Sequence, residues 1–340
     1  MSQLQLSFIP EVISEEKSKI FTKRTLFKPF EYDVTPFKDA IRHSYWVHTE
    51  FNLTSDIQDF STLLSNSSRN AIKNALLAIS QIEISVKKFW TRLGDKIEKP
   101  EFDQIGVTFG ESEVRHADAY SFLLKQLGLD EEFDKLKDIP EIEGRVKYLS
   151  KYLKQTPQSN DQNYAMSLSL FSIFIENVSL FAQFYIIKSF NKKTNTLKGV
   201  DNIVQATQKE ELIHAQFGMW LINKIKEENP SWFNGEFYEK LYRAARKTLA
   251  AEEKIIDWIF EQGELEFLPK IWVKEMIKDR LNESLRQIGG LDIFDIDPEI
   301  SAKYQWFKDE IYADTNVDFF YKKSTNYSKN VQSYNEEDLF

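Results

Sequence analysis

The segment Glu111–Tyr120, ESEVRHADAY, sets Glu113 three residues before His116 and Tyr120 four residues after it. Residues three, four and seven apart share one face of a helix, so a carboxylate, an imidazole and a phenol stand on one stripe. A second Glu-x-x-His, Glu211–His214, occurs in KEELIHAQF (Lys209–Phe217), 98 residues further on. The chain has only four histidines, and the two motifs use two of them. At the offset of Tyr120 the second motif carries Gly218, so the two halves are alike as metal binders and unlike beyond that.

Glu-x-x-His projects both side chains the same way from one helix. Two such motifs, each joined by one carboxylate from a further helix, build a four-helix dimetal-carboxylate site. The two further carboxylates should lie in otherwise apolar faces. Glu83 does so in ALLAISQIEISVKKFW (Ala75–Trp90), and Glu176 in SLFSIFIENVSLFAQF (Ser169–Phe184), where it is the only charge between Asp161 and Lys188. A buried carboxylate is costly unless a cation or strong donors meet it. Four carboxylates balance two divalent ions in charge, and oxygen and imidazole ligands suit iron and manganese. His43 and His48 lack such companions and are expected to be structural or surface residues.

Prolines mark the helix compartments, because proline is tolerated in the first turn and disfavoured within a helix. Apolar residues recur at helical spacing through 65–90. Pro100 opens a helix running to Gly128, Pro140 opens another, and SNDQNY caps a continuous helix over Tyr164–Phe190. A long helix ends before Pro230, and two more lie near 233–260 and 269–288. NTLKG and GGLDIFDID are expected to be loops. The fold class is therefore all-α: a helical bundle with the dimetal site in its core four helices and extra flanking helices. Residues 1–30 form an N-terminal extension, 31–300 the helical domain, and 301–340 a C-terminal segment with a polar, flexible tail.

Composition excludes several functions. With no cysteine, disulfides, thiolate metal sites and cysteine nucleophiles are ruled out within the chain. A net charge of −9 argues against a nucleic-acid partner. The apolar run Ala165–Phe190 includes Glu176, Asn177 and Gln183, which makes it a buried core helix rather than a membrane span. No secretory signal is apparent at the N-terminus, and a cytoplasmic location is expected.

QIEISVKKFW, FGESEVRHADAY, FIENV and KEELIHAQFG together resemble the radical-generating small (beta) subunit of class I ribonucleotide reductase, a ferritin-like family, over nearly the whole chain from about Pro36. The resemblance implies that Glu83, Glu113 and His116 hold one metal and Glu176, Glu211 and His214 the other, with Glu113 and Glu211 bridging. The pair would be Fe/Fe, with Mn/Fe and Mn/Mn also found in the family. The first ligand here is Glu where Asp is commoner. Tyr120 falls on the radical tyrosine, with Leu180 and Phe184 lining an apolar pocket. Trp46 falls on the near-metal tryptophan, and Glu210 stands where many members have Asp. A tail tyrosine completes the radical path; Tyr327 is the first choice and Tyr334 the competitor. The partners implied are the large (alpha) subunit, docked through a tail that ends in Phe340, a second copy of the chain, and in some members a flavoprotein activase. Reduction of ribonucleoside diphosphates would occur on the large subunit. The alternative is another ferritin-like dimetal oxidase or oxygenase.

Overall fold

The computed structural model describes residues 19–153 and 160–319, apart from the side chains of 83–85, 137, 148–153 and 314–319. Among the described residues there is no strand. The principal helices are α1 (Thr35–His43), α2 (Asn66–Trp90), α3 (Pro100–Gln126), α4 (Pro140–Leu153), α5 (Asp161–Leu170), α6 (Phe181–Thr194), α7 (Lys198–Glu228), α8 (Gly235–Ile259), α9 (Lys270–Gln287) and α10 (Pro298–Phe319). A π-helical segment, Phe171–Ser179, joins α5 to α6.

Local chemistry sets the boundaries. Ser65 caps α2 by accepting the Ser68 N–H, Asn160 caps α5 through the Asn163 N–H, and Asn234 caps α8 through the Phe237 N–H. These bonds occupy donors that the first turn of a helix cannot satisfy internally. Pro100 starts α3 where its missing N–H costs nothing. The NTLKG loop reverses the chain through Asn195 and Leu197, both with positive φ. The carboxylates of Asp59 and Asp56 then accept the N–H groups of Leu197 and Val200, each at 2.9 Å, at the head of α7.

The core bundle consists of α2, α3, the α5–π–α6 rod and α7. α2 lies along α3 and against α6, while α7 packs on α3, α6 and the π segment. A Cβ on Gly106 of α3 would stand 2.5 Å from the Trp90 carbonyl, so glycine sets the spacing of α2 and α3 there. α1 covers α3 and α7; α4, α8, α9 and α10 form the flank. The apolar stretch Asp161–Thr194 is long and apolar enough to cross a membrane, yet its most apolar window is wholly buried inside the bundle.

One expectation changes. The continuous helix over Tyr164–Phe190 is interrupted by the π segment, which contains Glu176. A π turn takes an extra residue, so the side chains after it are rotated relative to α5. α10, which the sequence reading did not name, takes in residues 301–319 of the C-terminal segment and buries Tyr304 and Phe307.

A buried ion pair ties the flank to the core. Arg145 of α4 is 1% exposed and its Nε lies 3.2 Å from Glu252 Oε1 of α8. The same guanidinium donates to the carbonyls of Ala78 in α2, at 3.2 Å, and Ser179 in the π segment, at 2.5 Å. Arg145→Ala leaves Glu252 buried without its cation and two carbonyls without their donor. We expect it to cost about 3–5 kcal/mol, read as a lowered urea midpoint of the metal-free protein.

Candidate metal centre

α3 supplies Glu113 and His116, α7 supplies Glu211 and His214, and the π segment supplies Glu176; all five are fully buried. The two imidazoles face one another through their Nδ1 atoms, with a glutamate on each side. Glu113 Oε1 lies 2.9 Å from His214 Nδ1 and its Oε2 lies 3.3 Å from His116 Nδ1. Glu211 repeats the pattern in reverse, with Oε1 2.9 Å from His116 Nδ1 and Oε2 3.3 Å from His214 Nδ1. Each of these glutamates therefore spans both histidines. Glu176 stands at the His214 end, with Oε2 3.9 Å from Nδ1.

Both oxygens of Glu113, Glu176 Oε2 and Glu211 Oε1 are buried without accepting a bond of hydrogen-bond geometry. Buried polar atoms are otherwise almost always satisfied. Carboxylate oxygens converging on two imidazole nitrogens fit cation ligands, and Glu113, Glu176, Glu211 and His214 offer ligand atoms within 4.8 Å of one another. The group suits a dimetal site. Glu83 lies in α2, as expected, but its side chain is outside the described residues.

A shell of donors and acceptors orients these groups, as ligand imidazoles require. His116 Nε2 is 2.8 Å from Glu210 Oε2, and His214 Nε2 is 2.9 Å from Ser112 Oγ. Trp90 Nε1 donates to Glu176 Oε1 at 2.8 Å. The Trp46 ring stacks on His116, with centroids 6.0 Å apart and planes 15° apart. Arg115 grips Glu210 with two nitrogens, each at 3.1 Å. Trp46 thus reaches the centre by ring stacking. Its indole N–H has no acceptor among the described residues, whereas Glu210 accepts from Arg115 and Ser44 and meets His116.

Tyr120, Leu180 and Phe184 are fully buried. In the other half, a Cβ on Gly218 would stand 2.2 Å from Ser172 Oγ. The asymmetry between the motifs is therefore steric as well as chemical, since that half has no room for a ring. His43 is exposed; His48 is partly exposed and packs its ring on Phe122. Tyr327, Tyr334 and Phe340 lie outside the described residues. Sequence reasoning did not assign roles to Trp90, Ser112 and Arg115. Only Arg115 left a trace, as a charge directly beside a ligand.

The charges are strongly coupled. Burial pushes Glu176 well above the usual carboxylate range, and Glu211 and Glu113 push it further. Burial opposes ionisation of Glu211 as well, but His116 and His214 outweigh it and hold this group well below its ordinary value. Burial would keep both imidazoles neutral, yet the surrounding carboxylates raise His116 well above its ordinary value and His214 to about 9. Near neutral pH His214 therefore holds a proton that a metal must displace, and the upward shifts of His116 and Glu176 act in the same direction. Because the His214 value is raised, proton competition persists until the pH climbs through about 9. Metal affinity should rise with pH up to that point, by about tenfold per pH unit for each proton displaced. Calorimetric titration with Mn²⁺ in buffers of different ionisation enthalpy measures the release; uptake without it would contradict this electrostatic account.

The sequence model of "Ribonucleotide reductase, small chain" matches residues 24–305. The chain belongs to this family. Its relatives include a protein of Invertebrate iridescent virus 3 named probable ribonucleoside-diphosphate reductase small subunit. That protein is 27% identical over 327 residues, or 92% of this chain and 86% of the relative. The Chlamydia pneumoniae ribonucleoside-diphosphate reductase subunit beta is 23% identical, covering 83% of each chain. Among solved structures, the dimanganese(II)-NrdF of Streptococcus sanguinis superposes with a TM-score of 0.70 at 16% identity, over 83% of this small chain and 99% of that one. An R2-like ligand-binding oxidase with an Mn/Fe cofactor superposes at 0.65 and 16% identity, over 78% and 96%. At these identities the superpositions establish the fold, which small chains share with such oxidases.

Proposed function

We propose that this small chain generates a one-electron oxidant and delivers it to a large subunit that reduces ribonucleoside diphosphates. The observation that carries the proposal is the pair Glu113 and Glu211, each spanning both histidines, with a tyrosine beyond only one of them. Glu83, Glu113 and His116 would hold one ion, and Glu176, Glu211 and His214 the other, Glu113 and Glu211 bridging. We take iron in both positions as the expected pair; Mn/Fe and Mn/Mn are the competing outcomes.

A bound metal pair supplies activation of oxygen, or of a reduced oxygen species, and with it the oxidation of a nearby phenol by one electron. The protein's own groups do the rest. Glu210 and Ser112 fix the outward nitrogens of the two imidazoles, so that both Nδ1 atoms turn inward. Trp90 holds one oxygen of Glu176 and leaves the other free to ligate. Burial of Tyr120 excludes water and reductants from a phenoxyl held there. Trp46, stacked on His116, connects the centre toward the surface, and Tyr327, with Tyr334 as competitor, continues the path in the tail. The tail through Phe340 docks on the large subunit. The working form is a homodimer, which an activase flavoprotein supplies with oxidant in some members of the family.

Nucleotide reduction needs thiols, and the chain has no cysteine. The purified chain is therefore expected to reduce no ribonucleotide alone and to support turnover once the large subunit is added. Turnover by the chain alone contradicts the proposal. Oxidation of an apolar ligand without the partner would favour the oxidase alternative.

A further inference from the structure

Arg115 lies between two candidate ligands in sequence, but the helix turns it away from the ions and into the junction of three groups. It is 6% exposed. Its Nη1 donates to Glu210 Oε2 at 3.1 Å and to the Trp46 carbonyl at 3.3 Å, and its Nη2 donates to Glu210 Oε1 at 3.1 Å. Nε donates to both oxygens of Glu111, at 3.2 and 3.0 Å. The guanidinium also packs on two rings, 4.6 Å from the Tyr45 centroid and 5.8 Å from that of Trp46. Glu210 Oε2 meanwhile stands 2.8 Å from His116 Nε2. One planar fork thus fixes the carboxylate that orients His116 and the backbone of the ring stacked on it. Arginine suits the place because its donors match a carboxylate in two parallel bonds, which the single ammonium of lysine does not.

We infer that Arg115 is a positioning residue for electron transfer between Trp46 and the centre: it sets the His116–Trp46 stack through Glu210 and the Trp46 carbonyl. Arg115 itself exchanges neither electron nor proton. Two features make the assignment specific. The Trp46 indole N–H has no acceptor among the described residues, so no bond from the ring fixes the stack. Glu210 also uses its full length, since an aspartate there would withdraw the carboxylate by about 1.5 Å and could not meet guanidinium and imidazole together. The role rests on the radical-delivery function proposed above.

The test has a metal-free arm and a loaded arm. In metal-free protein with ¹⁵N-labelled histidine, only four imidazoles report, and His116 is assigned by the signal lost in His116→Gln. Its Nε2–H should appear far downfield and exchange slowly. In Arg115→Lys it should move upfield and exchange at least about tenfold faster, with the helical circular-dichroism signal unchanged. In loaded protein, Arg115→Lys should keep metal content and tyrosyl signal within about twofold of the parent while turnover with the large subunit falls at least about tenfold, because small misplacements of reacting groups cost large factors in rate. Glu210→Asp should lower turnover similarly, and the double variant should be no worse than the poorer single one, as expected for residues acting as one unit. Turnover of Arg115→Lys within twofold of the parent overturns the inference. So does a loss of metal or radical that parallels the loss of turnover, since Arg115 would then serve the metal site. A parent protein without any tyrosyl signal would overturn the function and this role together, while the metal-free resonance would still report whether Arg115 holds Glu210 on His116.

Discussion

Glu211→Ala should leave the protein folded and without a working dimetal centre. Glu211 is held ionised by the two imidazoles, and it lies 2.9 Å from one imidazole Nδ1 and 3.3 Å from the other. Removing it takes away the proposed bridge and leaves two imidazoles with one fewer counter-charge. Losing a group that merely orients a ligand already costs about 10–100-fold in metal affinity, so loss of a bridging ligand should exceed that. Metal per chain after desalting should fall toward background, and the tyrosyl signal and partner-dependent turnover should vanish with it. The fold should tolerate the change, because the buried imidazoles can shed the protons that the Glu211 carboxylate held on them. Normal metal content in Glu211→Ala would remove Glu211 from the ligand set.

Removing residues 321–340 should have an effect of comparable size on turnover and none on the centre. The proposed ligands lie on α2, α3, the π segment and α7, all of which end before the deletion. If the tail contributes even about 3 kcal/mol to docking, its loss lowers affinity for the large subunit about a hundredfold. Partner-dependent turnover should collapse to that extent, while metal content and tyrosyl signal stay at the parent level. Equal turnover with and without the tail would place the docking surface on the bundle instead and would leave Tyr327 and Tyr334 without a role.

Much of this architecture was legible because it rests on local rules. Pro100, Ser65 and Asn160 act where proline and capping side chains act in any helix, and Glu-x-x-His implies a shared face wherever a helix forms. The four-helix metal scheme followed from placing lone carboxylates in apolar faces. Three features were not legible. The π segment around Glu176 depends on tertiary packing, and its residues would suit an ordinary helix equally well. α10 follows a loop that masks its start, and its mixture of polar and aromatic residues gives little periodic signal. The environment of Glu210 depended on Arg115, 95 residues away in sequence. The carboxylate is occupied by a guanidinium and an imidazole.

The central claim is that the metals held between α3, α7 and the π segment oxidise Tyr120. Low-temperature electron paramagnetic resonance tests it most directly, on protein reconstituted with iron, manganese or both, with metal quantified in the same samples and Tyr120→Phe run alongside. The account predicts a tyrosyl signal in the parent with at least one of these metal pairs, and its complete loss in Tyr120→Phe at unchanged metal content. A tyrosyl signal that persists in Tyr120→Phe, or a fully loaded, oxygen-exposed parent with no such signal under any metal pair, would contradict it.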